Sequence, residues 1–220
     1  MKKIISFCLW GSNPRYTVGA LKNAQLAKEI YPDWICRFYV AKCVPMGIIN
    51  SLFMMNNTEI YIMNEPGDWN GMFWRFYAAS DPNVDVVISR DTDSRLTQRE
   101  KAAVDDWLSS DKDFHIMRDH PCHAAPIMGG MWGVRNSLLS NMSRLIKRFP
   151  KEDRWQIDQD FLRNVIYPIV REESCVHDDY FEKRPFPVER EGGLDEGGYP
   201  VNFIGQVFNE NDVDSRVWDK

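Results

Sequence analysis

Several absences narrow the possibilities before any motif is considered. No stretch approaches the roughly 20 apolar residues a membrane-spanning helix needs. The opening run, Ile4 to Trp10, follows the basic Met1-Lys2-Lys3 and breaks at Gly11-Ser12-Asn13-Pro14. That is too short for a secretory leader, so a first core strand is expected instead. The five cysteines (Cys8, Cys36, Cys43, Cys122, Cys175) are an odd number with no C-x-x-C spacing. This argues against a disulfide framework and for reduced thiols in a cytoplasmic setting. Basic residues are in deficit, 27 Lys and Arg against 32 Asp and Glu, for a net charge of −5. A general nucleic-acid or anionic-membrane surface is therefore not expected. Internal repeats and a dividing linker are also lacking.

What is present is enough for a core: 220 residues, 44% apolar and 13% aromatic, suit one sizeable α/β domain. Strands are expected at Lys3–Trp10, Trp34–Val40 and Thr58–Met63, with helices over Thr17–Ile30 and from Val44-Pro45 to about Met55. Strand–helix–strand–helix–strand is the order of a parallel sheet with right-handed crossovers. An aromatic helix, Met72–Ser80, should lead into a strand at Val84–Ile88, and the capping box Thr97-Gln98-Arg99-Glu100 should start the next helix. Further strands are expected at Phe114–Met117, Met131–Val134 and Ser174–Val176, with helices at Ser137–Phe149 and Arg154–Tyr167. Residues 118–130 and the Pro- and Gly-rich end of the chain should be irregular, and the Gly-rich Glu191–Tyr199 a loop or flap.

The Val84–Ile88 strand runs into Ser89-Arg90-Asp91-Thr92-Asp93. It would deliver Asp91 and Asp93 to the sheet's carboxyl edge, where open α/β sheets bind ligands. Hard divalent cations take carboxylate oxygens and often share them with substrate phosphates. A metal site holding a nucleotide diphosphate is the working idea, and a solvated strand-end turn is its bland rival. A calcium loop of EF-hand type needs Gly and Glu where Leu96 and Ala102 stand. An aspartyl-nucleophile phosphatase of the haloacid-dehalogenase type carries Asp-x-Asp-x-Thr/Val near the N-terminus; here the motif is mid-chain, with Arg95 in the last position. Physical chemistry also admits His177 as a ligand, since imidazole suits Mn²⁺ and a set of two carboxylates and one His leaves positions for phosphate oxygens. A surface histidine is the alternative. Arg75 lies on an aromatic segment where an unpaired charge is costly, so a carboxylate partner is expected. His115, His120 and His123 match no structural zinc spacing.

Four blocks in order resemble the GT-A nucleotide-sugar glycosyltransferases, and most closely the glycogenin and bacterial galactosyltransferase-like group known as family 8. Phe73-Trp74-Arg75-Phe76-Tyr77 precedes the Asp-x-Asp, and Gly129-Gly130-Met131-Trp132-Gly133 follows it. Then come Ile157-Asp158-Gln159-Asp160-Phe161-Leu162 and the set His177, Lys183, Pro185, Phe186, with Arg184 inserted before the proline. Two departures stand out: Arg90 where an aliphatic or aromatic residue is usual, and no glycine shortly after His177.

The resemblance implies a single GT-A type, Rossmann-like α/β domain with a mainly parallel central sheet flanked by helices and an irregular C-terminal segment. Residues 1–95 would form the nucleotide-binding half, 96–187 the sugar and acceptor half, and 188–220 a loop-rich tail. It implies a metal-dependent transferase moving a sugar from a UDP-linked donor to a glycan hydroxyl, with Mn²⁺ (or Mg²⁺) on Asp91, Asp93 and His177. Asn13, Tyr16, Arg75, Asp91, Gly129, Gly130, Lys183 and Arg184 would contact the donor, and Asp158 and Gln159 its sugar and reacting face; Arg90, which the family pattern does not expect, is read as a contact to the donor or to a site carboxylate. Retention is implied; inversion would need a base such as Asp119 or Asp160. From the residues themselves, Arg118, Asp119 and His120 are expected to be the polar groups of a loop that binds the acceptor or covers the donor. The alternative is a nucleotide-sugar or glycan-binding module of the same fold with weak turnover.

Overall fold

The computed structural model describes residues 1–135 and 137–215. Seven strands, β1 (Lys3–Leu9), β2 (Ile35–Ala41), β3 (Thr58–Met63), β4 (Val86–Ser89), β5 (Phe114–Arg118), β6 (Trp132–Arg135) and β7 (Ser174–Asp178), form one sheet. Its order is β3-β2-β1-β4-β6-β5-β7, parallel except for β6, which runs antiparallel to both neighbours. The sheet alternates its side chains between two cores. Ile5, Phe7 and Leu9 of β1 and Val86 and Ile88 of β4 pack under α1 (Pro14–Ile30), α2 (Met46–Phe53) and α3 (Gln98–Ser109). Ile4, Cys8 and Val87 face the other way, onto Phe73, Phe76, Trp132 and Phe161. That second layer consists of a 3₁₀ run (Trp69–Ser80), α4 (Met142–Arg148), α5 (Ile157–Phe161) and α6 (Tyr167–Val170). Among the described residues no helix is long and apolar enough to cross a membrane.

Local chemistry accounts for the shifted boundaries. The Asn13 side-chain oxygen accepts from Arg15 N at 3.0 Å and Pro14 takes the first helical position, so α1 starts three residues earlier than expected and Tyr16 sits in its first turn. Asp68 caps Asn70 N at 2.8 Å, and the aromatic segment beyond it winds as 3₁₀ rather than α. The expected helix from Ser137 is confined to Met142–Arg148, after turns. The one from Arg154 begins at Ile157, because Gln156 has φ 64°. It continues past Tyr167 through a π-turn, Leu162–Ile166, which absorbs Pro168.

This order has a topological switch. From β1 the chain builds outward through β2 and β3, then returns to lay β4 on the opposite side of β1. Connections leave β1 and β4 in opposite directions, which opens a crevice at their carboxyl ends. Residues after Leu9 and after Ser89 line it.

The stretch after β7 is not a loose tail. Arg190 Nη1 reaches Asp119 Oδ1 at 2.8 Å, and Ile204 N donates to Asp119 Oδ2 at 3.0 Å. Phe203 packs on His120 with ring centres 4.3 Å apart. Farther on, Phe208 N donates to Asp93 O at 2.8 Å, Asp212 pairs with Arg95 (2.9 Å) and Lys22 (2.5 Å), and Ser215 meets Arg15. The segment therefore crosses the carboxyl edge of the sheet from β5 to α1, pinned at both ends by charge.

The fully buried Asp119 holds the β5 end of this strap through Arg99, Arg190 and Ile204 N. Asp119→Ala removes the buried carboxylate shared by Arg99, Arg190 and Ile204 N, leaves Asp179 as the arginines' remaining acid, and should lower unfolding stability by about 1–3 kcal/mol. Urea denaturation measures the loss, and limited proteolysis should show new cleavage within residues 188–215. Unchanged values would show that the strap is held by apolar packing alone.

Candidate functional site

Asp91 and Asp93 stand at the switch point. β1 and β4 are in parallel register with Ser6 beside Ser89. Two residues on, Asp91 therefore comes level with the buried Cys8, whose thiol burial pushes up to about 12. Alternation along β4 sends Asp91 to the face occupied by the 3₁₀ run. There the Arg75 guanidinium, 1% exposed, takes Asp91 Oδ1 on one nitrogen and Asp158 Oδ2, at 2.8 Å, on another. Three carboxylates thus converge on this crevice with one fully buried cation between two of them. Burial, and then the neighbouring Asp91, push Asp93 up to about 7.

The residues expected beside the donor arrive through close packing. Ser89 Oγ donates to Gly129 O at 2.8 Å. A Cβ on Gly130 would fall 2.0 Å from Asp91 Oδ2, so only glycine lets that backbone pass beside the carboxylate. Gln159, with its amide turned to satisfy both ends, donates to Ile127 O at 3.0 Å and accepts from Gly129 N at 2.7 Å. Asp158 is buried, and burial pushes its carboxyl up against the opposing pull of Arg75. Arg75, Asp91, Gly129, Gly130, Asp158 and Gln159, drawn from four separate stretches, therefore lie together. Tyr16, 37% exposed in the first turn of α1, is close enough that Asp93 adds to the effect of burial in pushing its phenol up.

Other predicted positions lie elsewhere. His177 is three strands from β4, about 14 Å at ~4.8 Å per strand, and alternation along β7 turns it to the opposite face. Its Nδ1 meets His115 Nε2 at 2.9 Å and its Nε2 meets Asp106 Oδ2 at 3.3 Å. It is not a third ligand beside Asp91 and Asp93. Lys183 and Arg184 follow β7 on the same far edge, exposed, bonded to Asp179 O (3.1 Å) and Glu182 (3.3 Å). Arg90 alternates onto the α3 face and binds Glu100 Oε1 at 2.7 Å and Trp132 O at 3.1 Å, so it is a core clamp and not a donor contact. Asp160 pairs with Arg154 at the surface, and Asp119 is enclosed by its arginines; neither is placed as a base. The acceptor-loop groups are also used internally: Arg118 binds Asp178 at 2.8 Å, and His120 lies buried against Phe203 and Tyr199. Asn13 spends its side-chain oxygen on the α1 cap.

Residues that the sequence reading missed form the floor and rim. Asn23 of α1 donates to Ser94 O at 2.8 Å and accepts from Leu96 N at 3.1 Å, moulding the loop that carries both aspartates. Gly19 lets α1 sit against Thr92 O, where a Cβ would fall 2.1 Å away. Arg15 lies near enough to Asp93 to oppose its upward shift. A buried-polar asparagine in an otherwise apolar helix stripe is the one sequence signal that could have exposed this floor.

Asn23→Ala leaves buried loop groups unpaired and should cost about 1–3 kcal/mol by urea denaturation. The pH dependence has a defined sign. Because Asp93 has a higher pKa folded (about 7) than its ordinary value of 3.8, the native state binds the extra proton. Without divalent ions, its contribution to stability is then fully present at low pH and falls as pH rises toward 7. Thermal melts of Asp93→Asn should lack that fall; an identical profile would assign it to another group.

No family model and no curated protein matches the sequence. Solved structures do. One is a glycosyltransferase involved in glycosylation of the major capsid of PBCV-1, at 18% identity over 83% of this chain and 84% of that one, TM-score 0.50. Another is the galactosyltransferase LgtC in complex with donor and acceptor sugar analogs, at 11% identity over 81% and 74%, TM-score 0.51. A third is 4-diphosphocytidyl-2C-methyl-D-erythritol synthase from Anaerococcus prevotii, at 10% identity over 86% and 92%, TM-score 0.52. At such identities the likeness is one of architecture. The chain has the single α/β, GT-A type fold that glycosyltransferases share with nucleotidyltransferases.

Proposed function

We propose that this chain is a metal-dependent glycosyltransferase that moves a sugar from a UDP-linked donor to a hydroxyl of a glycan acceptor. The observation that carries the reading is the pair Asp91 and Asp93 at the switch crevice, where burial, and then repulsion from Asp91, push Asp93 up to about 7. A divalent cation relieves that repulsion. Oxygen-only donors in a partly open position suit Mn²⁺ or Mg²⁺, with the remaining positions left to diphosphate and water. When bound, the ion supplies Lewis-acid neutralisation of the diphosphate.

The other roles belong to side chains already in place. Arg75 fixes the rotamers of Asp91 and Asp158 together, so the metal side and the sugar side keep one spacing. Asp158 and Gln159 would face the donor sugar, held by Gly129 and Arg75. Tyr16 offers an exposed ring for the base, and Arg15 the positive charge first assigned to Lys183 and Arg184. Retention is favoured, since the two carboxylates considered for an inverting base, Asp119 and Asp160, are tied to arginines.

The second reading, nucleotidyl transfer, is favoured by the equally good match to a diphosphocytidyl-compound synthase. Products separate the two. A panel of nucleotide sugars with Mn²⁺ should release nucleoside diphosphate slowly without acceptor, and chelator should stop it. Pyrophosphate release from a nucleoside triphosphate and a sugar phosphate would support the second reading instead. In calorimetry, Asp93→Ala should abolish Mn²⁺-dependent UDP binding, and unchanged affinity would remove the metal assignment. Below pH about 7 the ion must displace the Asp93 proton, so affinity should weaken by up to about tenfold per pH unit.

A further inference from the structure

The face of the sheet turned away from Asp91 carries a second group of metal-ligand chemistry, with which the proposed transfer has no concern. Strand β7 presents Cys175 and His177 two residues apart, hence on one side, and that side is covered by α3. Asp106 projects from α3 to meet them. The Asp106 carboxylate, the Cys175 thiol and the His177 Nε2 each place a ligand atom within 4.8 Å of the others. The register setting His115 beside Cys175 brings a fourth residue underneath.

We propose that Asp106, Cys175 and His177 form a transition-metal site, selective for Zn²⁺-like ions, that fastens edge strand β7 to α3. The spacing suits it. Ligands about 2.1 Å from a tetrahedral zinc stand about 3.4 Å apart, and Asp106 Oδ2 lies 3.3 Å from His177 Nε2. That gap is longer than the usual 2.7–3.2 Å of a nitrogen–oxygen hydrogen bond.

The surroundings are those of a metal-ligating imidazole. Such a ring normally anchors its second nitrogen on a neighbouring acceptor, which fixes tautomer and orientation. Here His177 Nδ1 lies 2.9 Å from His115 Nε2, so an Nδ1–H donated to His115 leaves the Nε2 lone pair aimed at Asp106. His115 is fully buried and stacked on Trp107 at 5.3 Å. Phe186 closes another side of the His177 ring, at 5.4 Å. Asp106 is 58% exposed, which gives an ion its path from solvent and a fourth position for water. A thiolate in the set distinguishes this site from the all-oxygen pair at Asp91 and Asp93, since soft sulfur selects zinc-like ions over Mg²⁺ or Mn²⁺.

The test uses the full chain, stripped with chelator and titrated with Co²⁺ in the absence of nucleotide. One equivalent should bind, giving tetrahedral d–d bands and a thiolate-to-cobalt charge-transfer band, and Zn²⁺ should displace it. Cys175→Ser should lose the charge-transfer band, and Asp106→Asn, on an exposed helix position, should weaken Co²⁺ binding at least tenfold. Asp93→Asn, and Cys43→Ser and Cys122→Ser at the exposed thiols, should retain the band. Zn²⁺ should also raise the melting temperature of the wild type and not that of Cys175→Ser. Folding of each variant is checked by circular dichroism. No charge-transfer band in the folded wild type, or a band that persists in Cys175→Ser, overturns the proposal.

Discussion

One guanidinium carries the geometry of the crevice. Arg75 is sealed beneath the 3₁₀ run, where an unpaired charge would cost several kcal/mol. It has two carboxylates within reach, Asp91 from the end of β4 and Asp158 from the start of α5. Neither partner can move without leaving a buried charge behind. Arginine suits this position because its planar fork presents two separately directed nitrogens, whereas a lysine would offer a single point of charge. The bridge therefore couples the end of a strand to a helix 67 residues later (158 minus 91), and Gly130 permits the intervening backbone to pass against Asp91.

Around that bridge the chain spends most of its other buried charges on closing the sheet's carboxyl edge, while Arg37 with Glu59 and Asp81 closes the opposite end. Asp119 gathers Arg99, Arg190 and the Ile204 amide, Arg90 clamps β4 and β6 to Glu100 of α3, and Arg118 holds Asp178 at the end of β7. The C-terminal strap then runs over this edge to Asp93 and the α1 side. Pairing lets this edge stay polar while its charges are buried. It also explains how a chain of net charge −5 can keep so many arginines inside.

Legibility varied with the range of the interaction. The parallel strands β1 to β4, the Thr97 cap and the placing of Asp91 and Asp93 at a strand end follow from alternation, β-branched runs and side-chain capping, all of them local. The pairing of Arg75 with a carboxylate followed from the cost of burying charge, although which carboxylates was open. Arg90 was misread because its family position drew attention, while strand alternation had already turned it to the α3 side. His177 was misread for a related reason. Its six-residue spacing to Lys183 matched a motif, but spacing along the chain says nothing about which face of a distant strand receives the side chain.

By itself, then, the sequence determined the α/β class, the first four strands and the presence of a carboxylate pair at the carboxyl end of β4, since those depend on periodicity and on short-range chemistry. Only the tertiary structure decided that β6 enters antiparallel between β4 and β5, that His177 lies on the far face with Cys175 and Asp106, and that residues 188–215 strap the edge. Those outcomes rest on strand order and on charge pairs between residues far apart in the chain, such as Asp119 with Arg190 and Asp212 with Arg95. No local pattern encodes them, because each pairing is chosen by what else the fold brings within about 3 Å.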